Sequence, residues 1–288
     1  MTMNPKQMLE PERLKDLVAR ALKEDIQDGD VTSNTLVPSD IRVRAAILAR
    51  EAGVSAGAPV ALDVFRQVDP HLTLEVLIED GGTVTPDDRI MLIEGSARSI
   101  LTAERTALNF MQRLSGIATQ TREYVNRVQS HGVMILDTRK TTPTLRMLEK
   151  YAVHCGGGVN HRMGLYDRVM IKDNHRALGA WSLAEAIRKV RRDAPGIVVE
   201  VEVETFEELE DALTETPEWI LLDNMPPQKL REYVAHCGGR VKTEASGGIT
   251  LDTLDAVAAT GVDAISLGCL THSVNSLDLS LEIMETLT

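Results

Sequence analysis

The spacing of apolar positions in the first third of the chain predicts a small unit that mixes helices and strands. A helical repeat on one face runs from Leu9 to Glu24, and the polar Asp28-Gly29-Asp30 segment ends it. Short apolar runs bounded by turn residues then predict, in order, a strand, a helix, a strand and a hairpin: Val43–Ala49, Ala58–Val68, Leu72–Ile78 and Val84–Ile93. A long helix is predicted from Ser99 to Gln129, with a break at Ser115-Gly116.

After residue 130 the pattern changes to short aliphatic runs that alternate with amphipathic helical segments. The predicted strands are Val133–Leu136, Val169–Ile171, Ile197–Val203, Trp219–Leu222, Val241–Ala245 and Ala264–Leu267, with a further short one at Gly157–Asn160. The predicted helices are Thr144–Tyr151, Leu183–Arg192, Phe206–Leu213, Pro227–His236 and Leu251–Ala259. Repeated strand-then-helix units predict a parallel sheet. Closure into a (β/α) barrel, complete or open, is the favoured arrangement, and a doubly wound sheet is the alternative.

The composition fits an α/β protein and narrows the classes of function. Of the 288 residues, 43% are hydrophobic but only 3% are aromatic, so we expect an aliphatic core of the kind that buried parallel strands form. The formal net charge is −12, and no basic tract with interleaved aromatics is present, so nucleic acid is not expected as a partner. No apolar run reaches the length needed to span a bilayer, so no membrane partner is expected either.

The three cysteines, Cys155, Cys237 and Cys269, fit no zinc-binding spacing. Their odd number, in a long chain whose N-terminal residues are polar and acidic, predicts reduced thiols in a cytoplasmic protein. Because Cys269 lies in a strand-like apolar run, buried structural thiols are the favoured interpretation.

Polar and charged residues follow almost every predicted strand after residue 130, at the point where the strand ends. In a parallel barrel these points meet at one mouth, where active sites form. The segments are Asp137-Thr138-Arg139-Lys140, Asn160-His161-Arg162, Lys172-Asp173-Asn174-His175, Glu202-Val203-Glu204, Asp223-Asn224, Glu244-Ala245-Ser246-Gly247-Gly248, and Gly268 shortly before His272. Any one segment fits a helix cap or a buried pair, but together they predict a ring of charge around one mouth.

This ring contains both signs of charge. The cations are Arg139, Lys140, Arg162 and Lys172, which His161, His175 and His272 are able to join. The anions are Glu204 and Asp223. Such a set suits a polyanionic substrate that also carries hydroxyls or a divalent cation, because Arg binds carboxylates through a planar fork and Lys suits phosphates as a point charge. The Ser246-Gly247-Gly248 turn opens a predicted helix, which favours a phosphate site there.

Structural explanations compete for several other polar residues. Glu200 alternates with Glu202 and Glu204 along one predicted strand, and we expect it to pair with a buried base such as Lys242. Arg105 is, by default, a solvated charge or an ion-pair partner on the long helix. His154 and His236, near helix ends, are expected to be caps or surface residues.

Seven segments of the chain closely resemble the motifs of the quinolinate phosphoribosyltransferase family, in order and with suitable spacing. They are Glu104–Ala118, Asp137–Pro143, Gly157–Leu165, Met170–His175, Val201–Glu204, Leu222–Asn224 and Glu244–Ile249. The resemblance implies an α/β fold with an N-terminal α/β sandwich domain over residues 1–115. An open (β/α) barrel of the TIM-like type over residues 116–288 follows, and its tail, residues 273–288, is able to pack back onto the first domain.

The same resemblance implies a reaction, partners and a cofactor. The enzyme would transfer the phosphoribosyl group of phosphoribosyl pyrophosphate to quinolinate and decarboxylate the product, releasing nicotinate mononucleotide, CO₂ and pyrophosphate in de novo NAD biosynthesis. It would act as a homodimer with active sites shared between subunits, or as a hexamer. Mg²⁺ is the implied cofactor, held directly or indirectly by Glu204 and Asp223.

The roles of the site residues also follow from the resemblance. The implied catalytic residues are Lys140, Lys172, Glu204 and Asp223. The implied substrate-binding residues are Arg105, Thr138, Arg139, His161, Arg162, Lys172, Ser246, Gly247, Gly248, Gly268 and His272. Quinolinate would be held by the cations among them, including Arg105 of the partner subunit, and the 5′-phosphate by the residues from Ser246 onward.

Three other functions stay open on the sequence. A related barrel phosphoribosyltransferase, with nicotinate as acceptor or of the type associated with molybdenum transport, would share the phosphate site. The number of cations nevertheless favours a dicarboxylate, because a monocarboxylate would leave Arg groups desolvated and unpaired. A sugar-phosphate isomerase or aldolase would use the Ser246-Gly247-Gly248 turn but would not need Arg105, Arg139 and Arg162. A non-catalytic protein would bind anions without turnover.

Overall fold

The structure is a computed structural model that describes residues 8–287. The chain divides into two compact units. Unit 1 contains residues 8–122, Thr142–Gly157 and 273–287, and unit 2 contains Glu123–Thr141 and Gly158–His272. Residues 1–7 and 288, which the predicted spans 1–115 and 273–288 include, lie outside the described residues. Unit 1 therefore combines the N-terminal region, the C-terminal tail and a segment from beyond residue 115.

Unit 1 is built on a four-stranded antiparallel sheet in the order β12-β1-β5-β3. Its strands are β1 (Arg42–Ala49), β3 (Thr73–Val76), β5 (Arg89–Ser96) and β12 (Leu279–Leu287). Strand β1 lies between β12 and β5, with Ala46 opposite Glu282 on one side and Leu92 on the other. Its last five residues, Ala45–Ala49, are all apolar and all buried, whereas Arg42 and Arg44 at its start are exposed. The C-terminal tail thus completes the sheet of the N-terminal region.

Helices of unit 1 form where an apolar face or a capping side chain requires them. They are Pro11–Ile26, Val31–Leu36, Ala58–Val68, Arg146–Cys155 and the larger part of Ala97–Val128. The short helix Val31–Leu36 was not predicted, since only the break before it is visible in the apolar pattern. Its N-cap is Asp30, whose carboxylate accepts a 2.9 Å hydrogen bond from the Ser33 N–H. The hydrogen bonds from Ser33 lower the pKa of Asp30.

Two local predictions in unit 1 are wrong. Strand β4 (Thr83–Val84) pairs with β2 (Gly53–Val54) and forms no hairpin with β5. The Asp88 carboxylate, which accepts hydrogen bonds from the N–H and hydroxyl of Thr85 over 2.7 and 2.9 Å, turns the chain between β4 and β5. The helix Ala97–Val128 is unbroken at Gly116. A Cβ at Gly116 would lie 2.1 Å from the Asn275 carbonyl oxygen, so close approach of the tail explains this glycine.

Unit 2 contains a six-stranded parallel sheet in the order β6-β11-β10-β9-β8-β7. Its strands are β6 (Met134–Leu136), β7 (Val169–Ile171), β8 (Val199–Val203), β9 (Trp219–Asp223), β10 (Lys242–Ser246) and β11 (Ala264–Ser266). Consecutive strands are neighbours from β7 to β11, and β6 lies beside β11, so the order runs around without the reversal of a doubly wound sheet. Val159 adds a single bridge to Leu136. The predicted open (β/α) barrel is confirmed.

The helices of unit 2 follow the strands in alternation. They are Asp173–Gly179, Leu183–Asp193, Phe206–Leu213, Pro227–Cys237, Leu251–Ala258 and Cys269–His272. Four of them begin with capping boxes. In two of these, Ser182 and Glu185, and likewise Thr205 and Glu208, satisfy each other's backbone N–H groups. In the part of the chain that the structure describes, no helix has both the length and the apolar content to cross a membrane.

The thiols are buried at two of the three cysteines. Cys155 and Cys237 are buried, and burial raises the pKa of the Cys155 thiol to about 12. The prediction is wrong for Cys269, because β11 ends at Ser266 and Cys269 begins a short helix, where it is partly exposed. Its Sγ lies 3.5 Å from the Tyr124 hydroxyl.

Candidate active site

The carboxyl ends of the unit 2 strands carry the polar segments that the sequence pattern singled out. Because the strands are parallel, these ends lie at one mouth of the barrel. The predicted site residues at or just beyond them are Thr138, Arg139, Lys140, His161, Arg162, Lys172, Glu204, Asp223, Ser246, Gly247, Gly248, Gly268 and His272. Arg105 belongs instead to unit 1, where it is exposed on the helix Ala97–Val128.

A buried carboxylate holds two of these segments together. Asp137 follows β6 and is completely buried. Its two oxygens accept hydrogen bonds from the His161 backbone N–H, over 2.8 Å, and from the Asn160 amide, over 2.6 Å. On the next residues, the Thr138 hydroxyl accepts the Lys140 N–H over 3.0 Å. These bonds fix the loop from which the side chains of Arg139 and Lys140 emerge into solvent.

Arg162 is a half-buried cation with another cation beside it. Its guanidinium contacts the Arg168 carbonyl oxygen over 3.3 Å and the Met170 sulfur over 3.7 Å. Burial, and then the positive charge of Arg139, lower the pKa of Arg162. Two guanidinium groups that repel each other at a mouth are relieved by a bound anion, and a carboxylate matches their fork geometry. The carboxylates of Glu200 and Asp167 act in the opposite direction on the pKa of Arg162, which is nevertheless lowered, so this side of the mouth favours an acidic substrate.

Lys172 lies at the end of β7, where it caps the helix Asp173–Gly179 that the sequence pattern did not predict. Its ammonium group forms an ion pair with Glu202 on the neighbouring strand β8, whose side chain is only 10% exposed. Glu202 was not among the predicted site residues. The alternation of glutamates along β8 indicates Glu202 as well as Glu204, and the ion pair with Lys172 distinguishes the two.

Glu204 lies one residue beyond the end of β8 and is exposed. Its backbone N–H donates to the Glu208 carboxylate over 2.8 Å, and its carbonyl oxygen accepts from the Lys229 ammonium over 2.6 Å. Asp223 ends the next strand, β9, and accepts a 2.6 Å hydrogen bond from the Asn224 amide. Neighbouring strands thus offer two carboxylates at the mouth.

Close contacts explain two of the three glycines of the predicted phosphate site, Gly247 and Gly268, while Gly248 lies in open space with φ +62°. Gly247 has φ +92°, and a Cβ there would lie 2.2 Å from the Asn224 side-chain oxygen. A Cβ on Gly268 would lie 2.9 Å from Lys140 Cδ and 3.0 Å from His272 Nε2. The structure therefore brings Lys140, Gly268 and His272 together, beside a turn whose glycines allow the backbone to approach an anion.

The available oxygen donors fit a magnesium ion that is bound together with its substrate. Mg²⁺ usually keeps several of its water ligands and also binds the phosphate oxygens of the substrate. It therefore needs only one or two carboxylates from the protein, and Glu204 and Asp223 offer these. Within residues 8–287, one set of three side chains, His161, Glu200 and Glu244, has ligand atoms within 4.8 Å of one another. The guanidinium of Arg168, 3.5 Å from Glu200, opposes a cation in that set.

The predicted pairing of Glu200 with Lys242 is wrong. Glu200 is completely buried, and its partners are His161 at 3.0 Å and Arg168 at 3.5 Å. In the sheet register, Trp219 on β9 lies between Glu200 on β8 and Lys242 on β10. The Lys242 ammonium lies over the Trp219 ring, 5.2 Å from its centroid, and is exposed. His154 and His236 are half-buried near helix ends, outside this mouth.

Two family models match the chain in succession. The model described as the N-terminal domain of quinolinate phosphoribosyl transferase matches residues 30–115. The model described as the C-terminal domain of the same enzyme matches residues 117–282. Together they extend over most of the chain, including every strand of the barrel.

Similar proteins match over nearly the whole chain. The probable nicotinate-nucleotide pyrophosphorylase (carboxylating) of Bacillus subtilis (strain 168) is 46% identical over 94% of this chain and 93% of its own. The nicotinate-nucleotide pyrophosphorylase (carboxylating) of Mycobacterium leprae (strain TN) is 44% identical over 93% of this chain and 96% of its own. The solved nicotinate-nucleotide pyrophosphorylase of Francisella tularensis has a TM-score of 0.92 and 39% identity, covering 96% of this chain and 98% of that one.

Proposed function

The chain belongs to the quinolinate phosphoribosyltransferase family, and from this premise we propose how the mouth of its barrel performs the family reaction. Quinolinate and phosphoribosyl pyrophosphate are converted to nicotinate mononucleotide, CO₂ and pyrophosphate in de novo NAD biosynthesis. The observation behind this assignment is geometric: the cations Arg139 and Lys172 and the Ser246-Gly247-Gly248 turn all lie at or just beyond the carboxyl ends of strands in one parallel sheet.

The acceptor site is the cationic side of the mouth. Quinolinate carries two carboxylates on adjacent ring carbons, so it needs several fixed cations around one small ring. Arg139, Arg162 and Lys172 supply them, with His161 and Thr138 beside them. Bidentate contacts from the guanidinium groups orient the ring and thereby aim its nitrogen at the ribose.

The donor site is the glycine-rich side of the mouth. Ser246, Gly247 and Gly248 bind the 5′-phosphate through backbone N–H groups, with Gly268 and His272 next to them. Lys140, whose side chain packs against Gly268, neutralises the pyrophosphate. Glu204 and Asp223 bind the ribose hydroxyls. The same two carboxylates would hold Mg²⁺, which would supply neutralisation of the charge on pyrophosphate.

The reaction then proceeds in two steps. The ring nitrogen attacks the anomeric carbon while the bond to pyrophosphate breaks, and Glu204 and Asp223 stabilise the positive charge that develops on the ribose. The carboxylate beside the now cationic nitrogen leaves as CO₂, and its bonding electrons stay on the ring carbon. Lys172 donates a proton to that carbon. Its ion pair with Glu202 holds the ammonium group in place before this step.

The assay that tests this function compares acceptors under one set of conditions. Purified protein, Mg²⁺ and phosphoribosyl pyrophosphate are incubated with quinolinate or with nicotinate. We expect nicotinate mononucleotide from quinolinate alone, because nicotinate leaves one guanidinium desolvated without a carboxylate. If nicotinate gave product at a comparable rate, the assignment of a dicarboxylate acceptor would be wrong and the acceptor would be a monocarboxylate. Turnover of a sugar phosphate without either acceptor would favour the isomerase class.

We further propose a homodimer, or a hexamer made from such dimers, in the cytoplasm. Arg105 of the partner subunit then contributes to each quinolinate site. The exposure of Arg105 on the helix Ala97–Val128 supports this, since an exposed guanidinium is available to contact a second copy of the chain.

Subunit complementation tests the shared site. The Arg105→Ala and Lys172→Ala variants are each expected to be nearly inactive. After equal amounts are mixed under conditions that exchange subunits, about a quarter of the sites should contain both intact residues, and that share of activity should return. Activity that stays at the level of the separate variants, despite proven exchange, would confine each site to one subunit.

A further inference from the structure

Two buried glutamates of the barrel have no part in the reaction described above. Glu200 on β8 and Glu244 on β10 have side chains that are 0% exposed, and both lie next to His161. Strands β8 and β10 flank β9, so side chains that meet the same histidine must project from the same face of the sheet. A pair of carboxyl groups at this place needs an explanation, because burying two like charges is costly.

The hydrogen on the His161 ring is placed by its neighbours. The backbone N–H of Arg162 donates to Nδ1 over 2.7 Å, so Nδ1 is an acceptor and the ring hydrogen lies on Nε2. Nε2 is 3.0 Å from Glu200 Oε2 and 3.5 Å from Glu244 Oε2. The single N–H group of the ring therefore lies within 3.5 Å of two carboxyl groups, and its geometry completes a hydrogen bond of standard alignment to neither.

The two carboxyl groups together have too few donors if both are ionised. Glu200 is also approached by the Arg168 guanidinium at 3.5 Å. Within residues 8–287, Glu200 Oε1 and both oxygens of Glu244 are buried without a hydrogen-bond partner. A proton on one carboxyl group supplies the missing donor, and the charge of Glu200 is then balanced by Arg168. The cluster is thereby neutral, as its complete burial requires.

The electrostatics indicate which group carries that proton. Burial raises the pKa of Glu244 by more than the nearby ring of His161 and the hydroxyl of Ser266 lower it, and the charge of Glu200 adds to the rise. Burial acts to raise the pKa of Glu200, but the interaction with His161 opposes burial and the pKa is lowered overall. Against burial, the two carboxylates also raise the pKa of His161 to about 9. A second ring proton would, however, need the Nδ1 lone pair that Arg162 N–H occupies, so the proton is placed on Glu244.

We propose that Glu200 and Glu244 form a buried acid pair that shares one proton and fixes the ring of His161. Through the Arg162 N–H bond, the ring in turn fixes the backbone that carries the Arg162 guanidinium. Both glutamates are positioning residues for carboxylate binding, since they act through His161 and Arg162. The effect on substrate rests on the proposed function, whereas the shared proton is detectable without substrate.

Infrared spectroscopy of the substrate-free protein tests the shared proton. We expect a protonated-carboxyl C=O band near neutral pH in the parent protein, its loss in Glu244→Gln, and its retention in Glu232→Gln. Glu232 is an exposed glutamate on the helix Pro227–Cys237 and serves as the matched control. Absence of the band from the parent, or its survival in Glu244→Gln, would overturn the proposal.

The dependence of Tm on pH gives a second readout. Because folding raises the pKa of Glu244, its contribution to stability is fully present below the ordinary carboxyl pKa. That contribution is lost as the pH rises through the folded pKa. Glutamine donates the same hydrogen bond and cannot ionise, so Glu244→Gln should gain Tm relative to the parent as the pH rises. Parallel curves for the parent, Glu244→Gln and Glu232→Gln would contradict the shared proton.

Substrate kinetics test the positioning role. Glu200→Gln removes the charge that accepts the His161 N–H, so KM for quinolinate should rise by about tenfold or more while KM for phosphoribosyl pyrophosphate changes little. Equal increases in both KM values would indicate general loss of structure and would overturn the positioning role. If the parent does not turn over quinolinate at all, the proposed function fails, while the infrared and Tm results still decide the acid pair.

Discussion

Replacing Lys172 with alanine is expected to lower kcat with quinolinate by about a thousandfold, because the change removes both a carboxylate-binding cation and the proposed proton donor. Glu202, only 10% exposed, would also lose its ion-pair partner. An unpaired carboxylate beside the acceptor would repel a dianionic substrate, so KM should rise as well. The measurement is steady-state kinetics with product detection by chromatography.

The Lys172→Arg variant separates the charge of this residue from its proton. Arginine keeps the ion pair with Glu202 and the attraction for a carboxylate but is a poor acid, since its pKa lies above 12. We expect KM to stay within about fivefold of the parent while kcat falls by about a hundredfold or more. Lys242→Ala, which removes an exposed barrel lysine over Trp219, is the control and should leave both parameters unchanged. Nearly normal kcat in Lys172→Ala would exclude a catalytic role.

Replacing Arg162 with alanine is expected to weaken quinolinate binding by about a hundredfold, corresponding to roughly 3 kcal/mol for a lost charge-assisted, bidentate contact. Arg162 is half-buried between the Arg168 carbonyl oxygen and Met170, so its guanidinium is held in place before the substrate arrives. Affinity for phosphoribosyl pyrophosphate should change by less than about threefold, because its proposed phosphate contacts lie across the mouth. Calorimetric titration with each ligand measures both values.

Lysine at position 162 gives a graded test of the same contact. It restores the charge but not the planar fork, so Arg162→Lys should recover part of the lost affinity. The control is Arg188, an exposed arginine on the helix Leu183–Asp193 that forms an ion pair with Glu215. Its replacement by alanine should leave quinolinate binding unchanged. Loss of affinity for both ligands in Arg162→Ala would point to a collapsed loop rather than a lost carboxylate contact.

The barrel and the position of its mouth were predictable because they depend on patterns that recur along the chain. Most strands of unit 2 contain short aliphatic runs, and the polar segments follow the ends of those strands. Parallel strands then place the segments together without any knowledge of side-chain contacts. The predicted ring residues of the barrel accordingly all lie at or just beyond strand ends in unit 2.

The remaining features depend on contacts between residues that are distant in sequence. Glu202 differs from Glu204 by its ion pair with Lys172, which a strand pattern does not reveal. Glu200 does not reach Lys242, because Trp219 on β9 lies between them in the sheet. The order and register of the strands, which separate the two residues, are visible only in the structure. A glycine inside a helical pattern suggests a helix break, but Gly116 lies in an unbroken helix. Its missing side chain lets the backbone of Asn275 pack closely against that helix.

The measurement that tests the central claim most directly follows the carboxylate beside the ring nitrogen. Quinolinate labelled with carbon-13 in that carboxylate is turned over with phosphoribosyl pyrophosphate and Mg²⁺, and labelled CO₂, pyrophosphate and nicotinate mononucleotide are measured together. We expect equal amounts of all three products, with the label entirely in CO₂. Label retained in a phosphoribosylated product, or pyrophosphate formed without CO₂, would contradict the claim that this barrel mouth performs both transfer and decarboxylation.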